Sequence, residues 1–249
     1  MRGAPRRRFE DAPPLRIGGT STVADAPDDA EVFGTKGSVG VVVVHEVFGR
    51  DDYVRSVGRE LAAAGYPAAV VDLYGGEYGK SVDEALSLRA KLTEHGVLEK
   101  LEEARTAVAR RLVPRARIGT LGFCMGGGYA LLGACKRRFD FAVDYYGRIE
   151  RAEEVEGLAG PVLCLLASED ERVTPWAFAE LLPAAMRSKK RVTVELYPGV
   201  RHGFHRPGRE LYDAAAAAAA WRRTLAFLAE MAAARAAPEG TDAGPRKQG

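Results

Sequence analysis

The sequence lacks the features of a membrane, secreted or nucleic-acid-binding protein. It contains no apolar run of about 18 residues, so it predicts no transmembrane helix. Its 36 basic and 34 acidic side chains give a net charge of +2, which provides no reason to expect nucleic acid as a partner. The basic N-terminal stretch also lacks the apolar segment of a secretory signal. We therefore expect no membrane association and no nucleic-acid partner.

Cysteine and histidine are scarce as well. The three cysteines are odd in number and have no CxxC spacing, which argues against a disulfide framework and a zinc site. They are Cys124, Cys135 and Cys164. A metal trio of His45, His202 and His205 lacks the HxH or HExxH spacing that would support it. We expect no metal, and the cysteine usage favours a cytoplasmic location.

Apolar strand patterns alternate with helical patterns along most of the chain. Strands are predicted at 39–44, 67–74, 116–123, 139–146, 161–168 and 191–197, and helices at 51–64, 81–94, 97–112, 125–136, 175–187 and 209–234. This alternation predicts a single α/β domain over residues 15–235, with a mostly parallel central sheet flanked by helices on both faces. Residues 1–14 and 236–249 are predicted to be disordered tails, because their composition cannot build a core.

The most informative motif is GFCMGGG, which directly follows a predicted strand. Gly122 and Gly126 flank Cys124 at the spacing of a nucleophile elbow, with cysteine in place of serine. The helix after such a turn favours a thiolate at its N-terminus, where the backbone N–H of Met125 would be one oxyanion donor. A buried structural cysteine in a tight turn is the alternative interpretation.

Two later loops supply partners for this cysteine. Asp170 follows one predicted strand and could orient a histidine, and His202 follows the last strand and could act as a base. Together with Cys124 they come in the order nucleophile, acid, base that is typical of α/β-hydrolases. Glu169 and His205 are the neighbouring rivals for the two roles. A turn aspartate and a surface histidine are the structural alternatives.

These segments together resemble the dienelactone hydrolase family, the cysteine-dependent members of the α/β-hydrolase fold. The matching segments are HEVFG (45–49), DLY (72–74), GFCMGG (122–127), DYYG (144–147), SEDERVTP (168–175) and HGFHR (202–206), within roughly residues 15–232. The resemblance implies hydrolysis of a small, anionic lactone or ester without metal or organic cofactor. The family's best-known reaction converts dienelactone (carboxymethylenebutenolide) to maleylacetate in the degradation of aromatic compounds.

The resemblance also implies roles for individual residues. Cys124 would attack the carbonyl and form a thioacyl-enzyme, with His202 as the base and Asp170 orienting it. Glu46 would gate the thiol by holding it protonated until an acidic substrate binds, which is reasonable because a nearby negative charge disfavours a thiolate. The backbone N–H of Val47 would be the second oxyanion donor.

Substrate recognition is where the sequence departs from the family. Arg206 matches an arginine that binds the substrate carboxylate, but the second such position, two residues after Tyr74, holds Gly76. Three other basic residues could compensate, namely Arg50, Lys80 and Arg148. Tyr74, Tyr145 and Tyr146 could line the substrate pocket, although core packing explains Tyr145 and Tyr146 at least as well.

Two further functions are kept as alternatives. A carboxylesterase or other carbonyl hydrolase of different specificity is the first, because Gly76 weakens the case for dienelactone itself. A non-catalytic sensor or binding protein that uses Cys124 as a reactive thiol is the second. For either hydrolase we expect a monomer or a weak homodimer.

Overall fold

Residues 30–136 and 138–236 are described by the computed structural model. The strands are β1 (Ala30–Phe33), β2 (Gly37–Val44), β3 (Ala68–Val71), β4 (Leu112–Phe123), β5 (Ala142–Tyr145), β6 (Val162–Ala167) and β7 (Val192–Tyr197). The α-helices are α1 (Asp52–Ala63), α2 (Val82–Ala90), α3 (Glu94–Ala109), α4 (Met125–Cys135), α5 (Val173–Trp176), α6 (Leu182–Arg187) and α7 (Ala214–Ala236). A 3₁₀ turn spans Ala152–Gly157, and a π-helical turn, Ala177–Leu181, joins α5 to α6.

The seven strands form one sheet in the order β1-β3-β2-β4-β5-β6-β7. Within the described residues, β1 pairs antiparallel with β3 and every other neighbouring pair is parallel. The predicted, mostly parallel sheet is therefore confirmed. The chain reverses direction across the sheet between β3 and β4, and Val44 at the end of β2 pairs with Gly122 near the end of β4. Ligand sites of open α/β sheets lie at such a switch point.

Helices cover both faces of the sheet, as predicted. On one face α1 and α7 pack on the valines of β2, with Leu61 and Leu228 fully buried between them. The opposite face is covered by α2, α3 and α4 at one end and by α4, α5 and α6 at the other, where Leu101 and Trp176 lie in the core. Strands buried on both faces explain the continuous apolar runs of the sequence.

The structure corrects several boundaries. The antiparallel edge strand β1 was not predicted, because four residues at a sheet edge carry too little pattern. The break between α2 and α3 lies at Thr93, whose hydroxyl accepts a hydrogen bond from the Gly96 N–H (3.2 Å), so Gly96 lies inside the first turn of α3. The predicted helix at 209–234 begins only at Ala214, because the Asp213 carboxylate caps it through the Ala216 N–H (2.8 Å).

The predicted tails fall almost entirely outside the described part of the chain. Residues 1–14 and 237–249 are outside it, as are residues 15–29 of the predicted domain. Residue 236, which was assigned to the C-terminal tail, is the last residue of α7.

Candidate active site

Cys124 occupies a strained turn between β4 and α4. Its backbone angles are φ 54° and ψ −119°, a region that costs a non-glycine residue on the order of 1–3 kcal/mol. Its N–H donates to the Tyr145 carbonyl (2.9 Å), which ties the turn to β5. Neither flanking glycine has room for a side chain: a Cβ on Gly122 would lie 2.1 Å from the Gly126 oxygen, and one on Gly126 would lie 2.4 Å from the Val44 oxygen. This is the geometry of a nucleophile elbow.

The predicted acid and base form a hydrogen-bonded pair, and His202 lines the same cleft as Cys124. The His202 Nδ1 lies 2.6 Å from Asp170 Oδ2, and the other carboxylate oxygen accepts the N–H groups of Arg172 and Val173, both at 3.0 Å. Burial lowers the pKa of His202, but the hydrogen bond to Asp170 and the neighbouring Cys124 thiol outweigh it and raise that pKa to about 10. His202 is therefore positioned to be an imidazolium beside the thiol at neutral pH.

Hydrogen bonds also keep Asp170 ionised. Its burial raises the pKa of the carboxyl group, but the bonds from His202 and from the two backbone N–H groups lower it further than burial raises it. The rival acid Glu169 is solvent-exposed, and its backbone N–H donates to the Val200 carbonyl (3.0 Å). Asp170 therefore has the contacts that an orienting carboxylate needs.

The other two candidate histidines have structural contacts. His205 Nδ1 bonds to the Tyr53 hydroxyl (2.8 Å), and burial lowers the pKa of His205 to about 4. His45 is fully buried, bonds through Nδ1 to the Glu46 carbonyl (2.6 Å) and accepts the Leu73 N–H at Nε2 (3.1 Å). The three histidines of the suggested metal trio thus have separate partners. No group of three metal-binding side chains is present within residues 30–136 and 138–236.

The two predicted oxyanion donors come from adjacent strand ends. Val47 follows β2 and Met125 begins α4, and both line the cleft beside Cys124. The first N–H groups of a helix have no partner within the helix, so that of Met125 is available to an oxyanion. Tyr74 links the two segments, because its hydroxyl donates to the Val47 carbonyl (2.9 Å) and lies 3.5 Å from the Met125 sulfur. Tyr74 is buried and is not among the residues that line the cleft.

Glu46 and Arg206 form a buried ion pair. The Arg206 Nη1 lies 2.6 Å from Glu46 Oε2, and its Nη2 bonds to the Asp51 carboxylate. The guanidinium also lies over the Tyr53 ring, 5.0 Å from its centre. Burial raises the pKa of Glu46 by more than Arg206 lowers it. Within the described residues the Glu46 carboxylate hydrogen-bonds to Arg206 and not to Cys124.

The cleft above Cys124 has a volume of about 450 Å³. It is lined by Val47, Leu86, Arg89, Cys124, Met125, Tyr146, Arg148, Ile149, Glu150, Arg172, Val173 and His202. Three arginines and one glutamate are among them. Leu86 and Arg89 were not predicted, because the weakly amphipathic α2 does not indicate which of its sides faces the cleft.

A family comparison agrees with this geometry. The model of the dienelactone hydrolase family matches residues 29–232. The chain belongs to the dienelactone hydrolase family.

The following relatives are each less than 30% identical to this family member. A Saccharolobus solfataricus protein provisionally named a carboxymethylenebutenolidase is 28% identical, with 76% of this chain and 88% of the relative covered. A Bradyrhizobium protein provisionally named a 2-oxo-3-(5-oxofuran-2-ylidene)propanoate lactonase is 28% identical over 76% of this chain and 82% of its own length. A crystal structure titled as a provisional dienelactone hydrolase from Klebsiella pneumoniae superposes with a TM-score of 0.73 at 26% identity, covering 81% of this chain and 92% of the other.

Family membership confirms three predictions: the recognised family, the α/β-hydrolase architecture and the class of enzyme, a hydrolase of esters or lactones. The roles of the individual site residues stay predictions. In the described part of this family member, no helix is long and apolar enough to cross a membrane.

The substrate-recognition residues lie differently from the expected pattern of the dienelactone hydrolase family. Gly76 has a φ of 91°, a backbone conformation that an arginine would adopt only with strain, and its N–H donates to Asp72 (2.7 Å). Tyr145 is fully buried, and its hydroxyl hydrogen-bonds to Thr224 Oγ1 (2.7 Å). This placement matches the core-packing alternative. The cleft is lined instead by Tyr146, whose ring centre is 5.0 Å from that of His202.

Proposed function

We propose that this protein is a cysteine-dependent hydrolase that cleaves a small, anionic lactone or ester through a thioacyl-enzyme intermediate. The observation that carries the proposal is the placement of Cys124 on a strained elbow, in one cleft with His202, whose Nδ1 bonds to Asp170. A structural cysteine has no need for such a backbone or for an imidazolium beside it. The non-catalytic alternative leaves the His202–Asp170 pair without a role.

Acylation uses the proton that His202 holds. The imidazolium stabilises the Cys124 thiolate, which attacks the substrate carbonyl carbon and forms the C–S bond. The carbonyl oxygen becomes an oxyanion that accepts hydrogen bonds from the N–H groups of Val47 and Met125. When the tetrahedral intermediate collapses, the C–O bond breaks and His202 donates its proton to the leaving alkoxide. For a lactone this alkoxide stays attached to the acyl chain.

In deacylation His202 acts as a base instead of an acid. The neutral His202 takes a proton from a water molecule, which attacks the thioester carbonyl. The same two N–H groups stabilise the second oxyanion, and the C–S bond then breaks to release the carboxylic acid and the Cys124 thiolate. Asp170 keeps the imidazole in the tautomer with Nδ1 protonated, so that Nε2 faces the reacting atoms. No step needs a metal or an organic cofactor.

The proposed substrate is dienelactone, hydrolysed to maleylacetate as a step in the degradation of aromatic compounds. The carboxymethylenebutenolidase and lactonase names of the relatives support a lactone. A carboxylesterase of different specificity is the second candidate, and Gly76 favours it. Gly76 stands where the resemblance implies the second carboxylate-binding arginine, and its φ of 91° is one that an arginine would adopt only with strain.

The deciding experiment measures hydrolysis of dienelactone, a saturated lactone and a set of 4-nitrophenyl esters by the wild type, Cys124→Ala and His202→Ala. Both variants should lose activity by about 10³-fold or more, because nucleophile and base act as one unit. His95→Ala is the matched control, since His95 is exposed on α3, forms an ion pair with Glu99 (3.2 Å) and does not line the cleft. Activity that survives Cys124→Ala would refute the mechanism. Turnover of esters without dienelactone would select the second candidate.

Location and assembly belong to the same proposal. A reducing cytoplasm is supported by the three cysteines, all of which are free. A monomer or a weak homodimer is supported by the surface of the described residues, on which seven large apolar side chains are exposed. An obligate dimer normally buries a much more extensive apolar face. Size-exclusion chromatography with light scattering over a range of concentrations tests the assembly.

A further inference from the structure

The walls of the cleft carry an excess of positive charge that the proposed chemistry does not use. Arg89, Arg148 and Arg172 line it together with a single carboxylate, Glu150. Across residues 30–136 and 138–236, no carboxylate oxygen lies within 4.0 Å of the guanidinium nitrogens of these three arginines. Their donors are therefore available to a ligand in the cleft.

Arg148 is the best positioned of the three. Its backbone packs against the nucleophile helix so closely that a Cβ on Gly128 would lie 2.3 Å from the Arg148 oxygen. Its guanidinium lies over the ring of the buried Trp176, 5.6 Å from the ring centre. Stacking on an aromatic face orders a guanidinium and leaves its N–H edge free, which is the arrangement that binds a carboxylate through two parallel hydrogen bonds.

The other two arginines approach from neighbouring elements. Arg172 lies in the loop before α5, where its backbone N–H is held by Asp170 (3.0 Å). Arg89 lies in the last turn of α2, and its charge acts on Tyr74 and Tyr129 by lowering the pKa of both phenols against the raising effect of burial. Arg89 lines the same cleft as Val47, whose carbonyl accepts the hydrogen bond from the Tyr74 hydroxyl. It places a positive charge in the segment after β3, where Gly76 lacks one.

The remaining candidates for carboxylate recognition are either paired with acidic side chains or outside the cleft lining. Arg206 is bonded to Glu46 and Asp51, and Arg50 is paired with Asp72 (3.2 Å). Lys80 does not line the cleft. Using Arg206 for a substrate would require breaking a buried pair of charges, which leaves Glu46 uncompensated and is costly.

We propose that Arg148, assisted by Arg89 and Arg172, binds a carboxylate of the substrate that is remote from the scissile carbonyl, and that Arg206 does not bind it. The inference rests on the proposed function for its substrate, but the anion site itself can be tested without hydrolysis. The substrate class that follows is a lactone or ester with a free carboxylate on its acyl part.

The first test compares the rates at which iodoacetate and iodoacetamide alkylate Cys124, followed by peptide mass spectrometry. The two reagents are alike in size and differ in charge, so the rate ratio reports the potential at the thiol. The triple variant Arg89→Gln/Arg148→Gln/Arg172→Gln should lower the iodoacetate-to-iodoacetamide ratio by about three- to tenfold at low salt, and less at high salt. Arg201→Gln is the matched control, because Arg201 is exposed, precedes His202 and does not line the cleft.

The second test uses the 4-nitrophenyl monoester of glutaric acid and its methyl ester, which differ only in the free carboxylate. Arg148→Gln should lower kcat/KM for the anionic ester by about ten- to a hundredfold, as expected for a lost bidentate contact, and that for the neutral ester by less than about threefold. Arg206→Gln should lower both alike. Arg89→Gln and Arg172→Gln, on exposed side chains, serve the same test if Arg148→Gln does not fold.

The outcomes separate the two proposals. Equal losses for both esters, or a larger selective loss in Arg206→Gln, would overturn the inference and leave the Cys124 mechanism intact. Absence of any hydrolysis, combined with a ratio that falls in the triple variant and not in Arg201→Gln, would support the anion site while the proposed function fails. An alkylation ratio unchanged in the triple variant would overturn the anion site directly.

Discussion

Replacing Gly126 with alanine tests whether the nucleophile elbow depends on close backbone approach. The added Cβ would lie 2.4 Å from the carbonyl oxygens of both Val44 and His45. Normal contacts between a carbon and a carbonyl oxygen begin at about 3.3 Å. Because both oxygens belong to the end of β2, neither can rotate away as a side chain would. The start of α4 must therefore move from β2 by roughly 1 Å.

This displacement has two measurable consequences. Overpacking of this kind costs about 1–3 kcal/mol, which lowers the melting temperature of a chain of this size by about 2–12 °C. The same movement separates the N–H of Met125 from that of Val47, and misplacing catalytic groups by about 1 Å reduces activity by roughly 10²-fold. Gly126→Ala should therefore lose kcat/KM on a 4-nitrophenyl ester by a larger factor than its stability loss alone explains.

Gly133→Ala is the matched control in the same helix. Its added Cβ would meet only side-chain atoms of Leu101 and Phe139, at 3.2 Å, and these can shift by a few tenths of an ångström. Since alanine is favoured over glycine inside a helix by about 1 kcal/mol, Gly133→Ala should be neutral or slightly stabilising and fully active. Thermal unfolding and steady-state hydrolysis measure both variants. Equal stability and activity of Gly126→Ala and the wild type would refute the reasoning.

Two further predictions follow from the charges around the elbow. Asp170→Asn removes the charge that raises the pKa of His202, so the alkaline limb of the kcat/KM profile should move to lower pH and activity at neutral pH should fall by about 10²–10⁴-fold; an unmoved limb would contradict this role. Because burial raises the pKa of Glu46 in the folded state, the stabilising effect of its proton is present below about pH 4.5 and is lost as pH rises through the raised pKa. Glu46→Gln should thus raise the melting temperature at pH 7 by about 2–4 °C, a gain that disappears near pH 4; a constant difference across this range would exclude the titration as its cause.

The strands could be predicted wherever the run of apolar residues was long. The valines of β2 and the apolar runs of β4 and β6 indicated buried parallel strands, because both faces of such strands are covered. The edge strand β1 was missed, since its pairing with β3 is decided by a distant segment. The start of α3 was placed three residues late because the Thr93 hydroxyl, and not the nearby glycine, ends the preceding loop.

The residues of the candidate site could be predicted where short local motifs mark them. Cys124, Asp170 and His202 each follow a strand, and the carboxyl ends of parallel strands meet at one edge, so their proximity could be inferred. The partners of Arg206 could not be inferred, because Glu46 and Asp51 are about 160 residues away in sequence and the pairing depends on how the loop after β7 folds back. Tyr145 and Tyr146 are adjacent, and only the fold decides which of them faces the cleft.

Two glycines in the run after Cys124 fix the positions of the thiol and of the proposed anion site relative to the same helix. Gly126 lets α4 approach β2, which places Cys124 beside the proposed oxyanion donors. Gly128 lets the loop after β5 approach the same helix, which fixes the backbone of Arg148. The distance between α4 and β2 and the distance between α4 and the loop after β5 are thus set by contacts between backbone atoms. Such contacts do not adjust to a ligand as side chains do. If Arg148 binds the substrate carboxylate, the separation between that carboxylate and the scissile carbonyl is selected by the fold itself, so acyl chains one methylene shorter or longer should lose kcat/KM while their neutral methyl esters do not.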